Sequence, residues 1–402
     1  MPDTARMRVL FLAHAYPRFK GDPVGSFIHN LAVALRQRGI DVVVSAPGAP
    51  GLEKVDVIDG VTVHRFRYAP SRYETLAYTG TMGAQVRAGV TGKLTMLSYL
   101  AAALLAARRI ARQESLDAIH AHWWFPAGLV ADVMRRTHGT PFVVTMHGSD
   151  LRLTRDAPMG QRLFRGVARK AGAMTAVSSW LAKEADELIG SGSVVVAPMP
   201  VLTILFHPGT SRDERRLLFV GKLSEQKGLA RLLRAMSQMR EECRLTVVGA
   251  GRIDDSAVVQ LAETLGLSDR IEWLPILSQA ELAEQYRRAA IHVIPALDEG
   301  LGLTAVESLL SETPVVGFAS GGLPDIVLQD VTGVLLPPAD EAKLAEALDD
   351  LLKDPDRRSA MGVAGRAHAA RLFSPDAAAE RYARLYTDVI NNDNKRASRT
   401  PP

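Results

Sequence analysis

Short apolar runs rich in β-branched residues recur along almost the whole chain, each followed by a segment with helical patterning. In the first half they are Arg8–Ala13, Asp41–Ala46, Val61–Phe66, Ala118–His122, Phe142–Met146, Ala173–Val177 and Val194–Ala197. In the second they are Leu217–Val220, Arg244–Val248, Ile271–Leu274, Ile291–Ile294, Pro314–Phe318 and Val334–Leu336. Strands that are apolar without alternation are buried on both faces. With helices between them they predict parallel sheets covered on both sides, an α/β architecture. At 402 residues the chain exceeds one ordinary core, so two doubly wound, Rossmann-like domains are expected. The division is placed in the Pro-rich, then charged, stretch Pro198–Arg216, giving domains 1–205 and 206–375. Ligands of such sheets bind beyond the carboxyl ends of the strands, and both domains are expected to present those ends to a shared cleft.

The single cysteine, Cys243, leaves no intrachain disulfide, which fits a reducing cytoplasm. Met7–Ala13 is expected as a buried first strand rather than a secretory core. Leu94–Ala107 is apolar over about 14 residues, short of the ~20 that span a bilayer, so core burial is expected there, ahead of a surface-lying amphipathic helix. Residues 1–205 carry 24 Lys+Arg against 15 Asp+Glu, or +9, and the remainder 24 against 29, or −5. An anionic acceptor or membrane surface facing the first half would account for the asymmetry, as would a solvated Arg-rich surface. Nucleic acid is not expected, because the basic residues are scattered without aromatic interleaving.

Chemistry concentrates in D-E-G-L-G-L-T-A-V-E-S, Asp298–Ser308. Gly300 and Gly302 let backbone approach a ligand, and the helix that follows offers unpaired N–H groups to an anion. Glu299 and Glu307 are left to accept hydrogen bonds from ribose and sugar hydroxyls. Lys222 and Lys227, just past the strand ending at Val220, supply charge for a diphosphate. Val248–Gly251 (V-G-A-G) is an incomplete dinucleotide fingerprint, with Asp254 in place of the third glycine, and reads as a tight strand-to-loop turn whose backbone could contact a nucleotide. In the first half, Gly25 precedes the helix Ile28–Gln37, where it is either a ligand contact or a turn residue. His147 follows a strand and could donate to a sugar hydroxyl. His120 and His122 share a strand face and are read as packing or cleft lining. The chain has no D-x-D at a strand end, G-x-S-x-G elbow, H-E-x-x-H or P-loop, which removes the chemistries those motifs carry.

In order and spacing the motifs resemble the retaining family 4 glycosyltransferases of the GT-B fold. The matching stretches include D-A-I-H-A-H-W, M-H-G-S-D-L, A-V-S-S, L-F-V-G-K-L-S-E-Q-K-G, D-E-G-L-G-L-T-A-V-E-S and G-G-L-P-D-I-V. The resemblance implies transfer of a sugar from a nucleotide-diphosphate donor to an acceptor hydroxyl, with retention and without a metal or other cofactor. It implies that Glu307 holds the ribose and that Glu299 with the backbone of Gly300, Leu301, Gly302 and Leu303 meets the sugar and phosphates. Lys222 and Lys227 would bind the diphosphate, His147 would touch the transferred sugar, and Gly25 would lie near the donor phosphates. It also implies a last helix, 376–392, returning across the first domain, followed by a frayed tail, 393–402. Lys222 stands where arginine is common, Leu301 where phenylalanine is usual, Pro275 where glycine is typical and Leu202 where aspartate often follows.

The expectation is therefore a cytoplasmic enzyme, at the inner face of a membrane if it associates with one. It would use a UDP-, GDP- or other NDP-sugar and a glycan, lipid-linked or small-molecule acceptor. Arg72, Arg87, Lys93, Arg152, Arg155, Arg162 and Arg165 favour an anionic or lipid-diphosphate acceptor. The alternatives are an epimerase or phosphorylase on the same fold, or a silent sugar-nucleotide-binding protein.

Overall fold

A computed structural model describes residues 6–79, 82–155, 157–249 and 257–398. The chain divides into two compact units, Met1–Pro200 with Pro375–Pro402, and Val201–Ser374. Composition had placed the first division at 205/206. The last helix, Pro375–Ala397, belongs to the first unit. Ala250, Gly251 and Asp254 of the incomplete fingerprint lie outside the described residues.

The first unit is built on β1 (Arg8–Leu12), β2 (Asp41–Pro47), β3 (Val55–Ile58), β4 (Val61–Phe66), β5 (Ala118–His122), β6 (Phe142–Met146), β7 (Ala173–Ala176) and β8 (Val195–Val196). They lie in the order β3-β4-β2-β1-β5-β6-β7-β8, all parallel except β3 on β4. β3 is absent from the sequence expectation, although Asp59-Gly60 marked it. Both turn residues have positive φ, 46° and 81°, the geometry that joins tightly paired antiparallel strands. Its exposed Val55 and Val57 fit a one-sided edge strand, too short to register as an apolar run.

The second unit holds β9 (Asp213–Val220), β10 (Arg244–Val248), β11 (Ile271–Leu274), β12 (Ala289–Ile294), β13 (Val315–Phe318) and β14 (Gly333–Leu336). All are parallel, in the order β11-β10-β9-β12-β13-β14. Counted within the unit this is 3-2-1-4-5-6, the doubly wound order whose switch point falls between its first and fourth strands. The charged D-E-R-R, read as linker, is the start of β9. Arg215 pairs with Glu241, Arg216 with Glu272, and Glu214 with Arg358. The first half of this central strand starts level with β12 but runs ahead of β10, which begins opposite Arg216, and it carries polar residues that composition alone reads as loop.

A second correction concerns the Leu94–Ala107 segment. It sits in a helix of 24 residues, Val90–Gln113, about 36 Å long. Only the stripe Met96, Tyr99, Ala103, Ala107 and Ile110 is buried. Tyr99 packs edge-on to Phe66 and Tyr68, and the Ser98 hydroxyl donates to the Tyr68 carbonyl. The opposite face stays in solvent, so core burial holds for one side alone.

Candidate functional site

In the second unit the switch point lies between β9 and β12, and both carboxyl-end loops carry the residues singled out from sequence. Lys222 and Lys227 follow β9, whereas Glu299 and the Gly300–Leu303 stretch follow β12. The two loops are tied together. Leu297 N donates to Gln226 O at 3.0 Å, the Gln226 amide to Asp298 O at 3.1 Å, and Lys227 Nζ to Glu299 Oε2 at 2.6 Å. The cation expected on a diphosphate and the carboxylate expected at the sugar are thus engaged with each other. Lys222 is exposed, with no ion pair among the described residues.

The loop after β13 supports Glu299 from beneath. Gly322 N donates to Glu299 O at 2.8 Å, and Asp298 N to Ser320 Oγ at 2.9 Å. Gly321, at φ +60°, lies so close that a Cβ there would sit 2.2 Å from Glu299 O and 2.5 Å from Glu299 N. Only glycine fits that backbone. The G-G-L-P-D stretch is visible in the sequence, but its part in holding Glu299 appears only in the fold.

Gly302 caps the helix Leu303–Leu310 without a side-chain acceptor. Although Ala305 N–H donates to Gly302 O at 2.8 Å, the N–H groups of Leu303 and Thr304 have no partner among the described residues and can meet an anion. Leu301 is buried, leaving the main chain as its contribution. Glu307, on that helix, accepts a hydrogen bond at 2.9 Å from the hydroxyl of Tyr286. Burial pushes the Glu307 carboxyl up to about 7, opposed by the Tyr286 hydrogen bond. Tyr286 is fully buried on the helix Gln279–Arg288 and was not foreseen. His292 packs edge-on to it at 5.2 Å, with neither ring nitrogen hydrogen-bonded among the described residues. Its burial lowers the pKa to about 3, so the ring is neutral.

The raised carboxyl has two consequences of known sign. A Glu pKa above its unfolded value means the protonated form suits the fold, so this stability is full below about 4.5 and is lost as pH rises through about 7. Glu307→Gln is thus expected to gain on the parent protein between pH 5 and 8, by up to about 3 kcal/mol, read from denaturant titrations. If ribose hydroxyls bind the carboxylate form, nucleotide affinity should rise about tenfold from pH 6 to 8, whereas Glu307→Gln gives the reference slope without this step. Equal slopes would remove Glu307 from the ribose.

In the first unit the switch point lies between β1 and β5. Gly25, at φ 72°, precedes the helix Ser26–Gln37, and a Cβ there would meet Ala15 O at 2.6 Å. Close approach of the chain to itself therefore already requires glycine at Gly25. His147 follows β6 and is surrounded by aromatic rings, with Trp123 at 4.5 Å, Phe27 at 5.2 Å and His122 at 5.5 Å between centroids. His122 Nδ1 lies 3.3 Å from His147 Nε2. Burial holds His147 well below the ordinary histidine range, so at neutral pH it offers one N–H and no positive charge. The Asp150 carboxylate accepts from the backbone N–H groups of Trp124, Gly148 and His147, and burial raises its pKa to about 6. It fixes the turn that presents His147.

The two histidines of β5 separate in role. His120 is hydrogen-bonded to the Tyr386 hydroxyl at 2.7 Å and to Thr145 Oγ1 at 2.7 Å, tying the last helix to the sheet as a packing residue. His122 sits at the strand end next to His147, with Nε2 buried and unpartnered among the described residues. Phe27, Trp123, His122 and Asp150 were not foreseen as neighbours of His147. Phe27 comes from the helix after β1 and His122 with Trp123 from the end of β5, so no local pattern joins those rings to the β6 loop.

Comparison with known proteins decides the family. The Glycosyltransferase Family 4 model matches residues 24–203 and the Glycosyl transferases group 1 model residues 203–368. The chain belongs to the group 1 glycosyltransferases. It is 33% identical over 320 residues to the D-inositol 3-phosphate glycosyltransferase of Thermobispora bispora, covering 71% of this chain and 73% of the relative. A second such relative, from Catenulispora acidiphila, is 31% identical over 418 residues, 94% and 93% of the two chains. Among solved structures, sucrose-phosphate synthase of Thermosynechococcus elongatus superposes with a TM-score of 0.80 at 22% identity over 96% of this glycosyltransferase and 100% of that chain. Anabaena HepE, in complex with UDP and glucose, gives 0.73 at 18% identity over 95% and 99%. These likenesses establish the GT-B architecture, with two Rossmann-like domains, and a sugar-transferring enzyme.

Proposed function

We propose that this glycosyltransferase moves a sugar from a nucleoside-diphosphate donor to an acceptor hydroxyl with retention and without a metal. The observation that carries the donor assignment is the meeting, at one switch point, of two lysines, an uncapped helix start and a buried carboxyl. Lys222 and the helix Leu303–Leu310 receive the diphosphate, and Lys227 exchanges Glu299 for it. Glu307, oriented by Tyr286, accepts from the ribose, and Glu299, once released, accepts from the sugar. His147 offers its single N–H to a sugar hydroxyl.

In the reaction the anomeric carbon–phosphate oxygen bond breaks as the acceptor oxygen bonds the same face of that carbon. The acceptor proton passes to the departing phosphate oxygen. Charge growing on the diphosphate is met by Lys222 and Lys227, the kind of electrostatic assistance that contributes most to such steps. The D-inositol 3-phosphate for which the relatives are named and the +9 balance of residues 1–205 both favour an anionic acceptor. Two of the arginines considered for it are otherwise engaged, Arg155 with Glu184 and Arg165 with the Leu188 carbonyl.

The test is a thermal-shift panel of UDP, GDP, ADP and TDP with their sugars, followed by transfer assays on phosphorylated and neutral polyols with and without chelator. One nucleotide should raise Tm in proportion to ln(1 + [L]/Kd), and Glu307→Ala should abolish that rise. If no nucleotide shifts the parent protein, the donor assignment fails. If chelator stops transfer, metal independence fails.

A further inference from the structure

We infer that the outer face of the Val90–Gln113 helix docks the protein on an anionic lipid bilayer. The helix is apolar enough in composition, and long enough, to cross a membrane. It packs on the first unit, however, along the stripe from Met96 to Ile110. Directly opposite that stripe, Val90, Leu94, Leu97 and Leu105 are 71%, 61%, 63% and 65% exposed. With Ala101 they follow a spacing of three and four residues, so they form a single line about four turns long. On the same line Arg108 and Arg112 follow, one and two turns beyond Leu105, and Lys93 flanks its start. A helix with one face anchored to protein and the other apolar, ending in cations, lies in the plane of a membrane interface rather than through it.

Charge selects the occupant. From Thr75 to Gln113 the sequence has Arg87, Lys93, Arg108, Arg109 and Arg112 and no Asp or Glu. A second copy of the chain placed face to face would bring these cations against themselves. An anionic headgroup layer attracts them, and the leucines enter the acyl boundary. Tyr73, 45% exposed with the Arg72 guanidinium over its ring, precedes the short helix Met82–Ala88, which packs on the long one. An amphipathic aromatic of this kind suits the headgroup level.

The probe is the full chain sedimented with vesicles of phosphatidylcholine alone or with about 30% phosphatidylglycerol, a charge density at which basic residues contribute to partitioning. Binding is expected to the anionic vesicles and to fall as salt rises from about 0.05 to 0.5 M. Arg108→Gln with Arg112→Gln should weaken partitioning about 30-fold, roughly a factor of five per cation. Leu94→Glu with Leu97→Glu should reduce it at least as much. Leu94, Leu97 and Arg112 are exposed, Arg108 is half-buried, and all four lie outside the site, so melting temperature and nucleotide binding should stay close to those of the parent. Equal binding to both vesicle types, no binding to either, or full binding by the Leu94→Glu/Leu97→Glu protein would overturn the inference. So would a concentration-dependent dimer that the same substitutions disperse without any vesicle binding, since a second copy would then cover the face.

Discussion

Lys227→Ala is expected to lower donor turnover by about 10²–10³-fold, the size seen when a group stabilising developing charge is removed. Binding of the free nucleotide should suffer much less, because Lys222 and the helix start at Leu303 remain. The reason for singling out Lys227 over Lys222 is its position. It is held at the seam of the β9 and β12 loops, in reach of Glu299, whereas Lys222 is exposed and makes no ion pair among the described residues. A restrained cation loses less freedom when it meets the leaving group. The Lys227–Glu299 pair gives a second readout. It is about a quarter exposed on each side, so breaking it costs on the order of 0.2–1 kcal/mol. Glu299→Gln should therefore tighten nucleoside-diphosphate binding up to about fivefold while turnover of the full donor falls. Steady-state kinetics and calorimetry on both single variants and the double variant check this. Lys227→Ala turnover within threefold of the parent would show that the pair is structural only.

Gly321→Ala should be nearly as damaging, although residue 321 is given no contact with any substrate. The added methyl would stand 2.2 Å from the Glu299 carbonyl oxygen and 2.5 Å from its nitrogen. Neither backbone atom can yield without moving the whole loop. The left-handed φ adds strain for any side chain. A destabilisation of about 2–4 kcal/mol is expected, which shifts Tm by roughly 5–12 °C for a unit of this size. Activity should fall about 100-fold in protein that remains folded, because misplacement of a positioning group by an ångström has that effect. If the loss acts through Glu299, Gly321→Ala should add little to the activity defect of Glu299→Ala. Independent, multiplicative losses would place the role of Gly321 elsewhere.

Much of the architecture can be read from local pattern because a strand buried on both faces must be apolar throughout. β4, β5, β6, β10 and β11 have the boundaries that their apolar runs suggest. The limits of that logic show at β3 and at the first half of β9. One is an edge strand with a solvent face, and the other runs ahead of β10 on one side, so neither needs apolar residues throughout. The Asp59-Gly60 turn shows that even β3 left a trace, through backbone chemistry rather than hydrophobicity.

The site divides in the same way. The chain's own order of residues places Lys222, Lys227, Glu299 and Gly302 in the loops beyond strand ends and Glu307 on the helix that follows, since a sharp change from apolar run to Gly-bearing loop is a local signal. It could not pair them. Lys227 and Glu299 are 72 residues apart, Tyr286 and Glu307 are 21 apart, and Ser320 lies 22 beyond Asp298. A hydrogen bond between distant residues leaves no periodicity in either segment. Likewise, the apolar pattern of Val90–Gln113 states that two faces are hydrophobic, and only packing reveals which one the protein buries. The sequence by itself determined the parallel sheets, the strand-end positions of the reactive groups and the excess of positive charge in the first half. Tertiary structure decided which groups restrain one another, because burial and contact are set by the whole sheet rather than by neighbours in the chain. It also changed what a side chain is. Glu307 becomes a carboxyl poised near neutrality and His147 a ring held uncharged, both through removal from water.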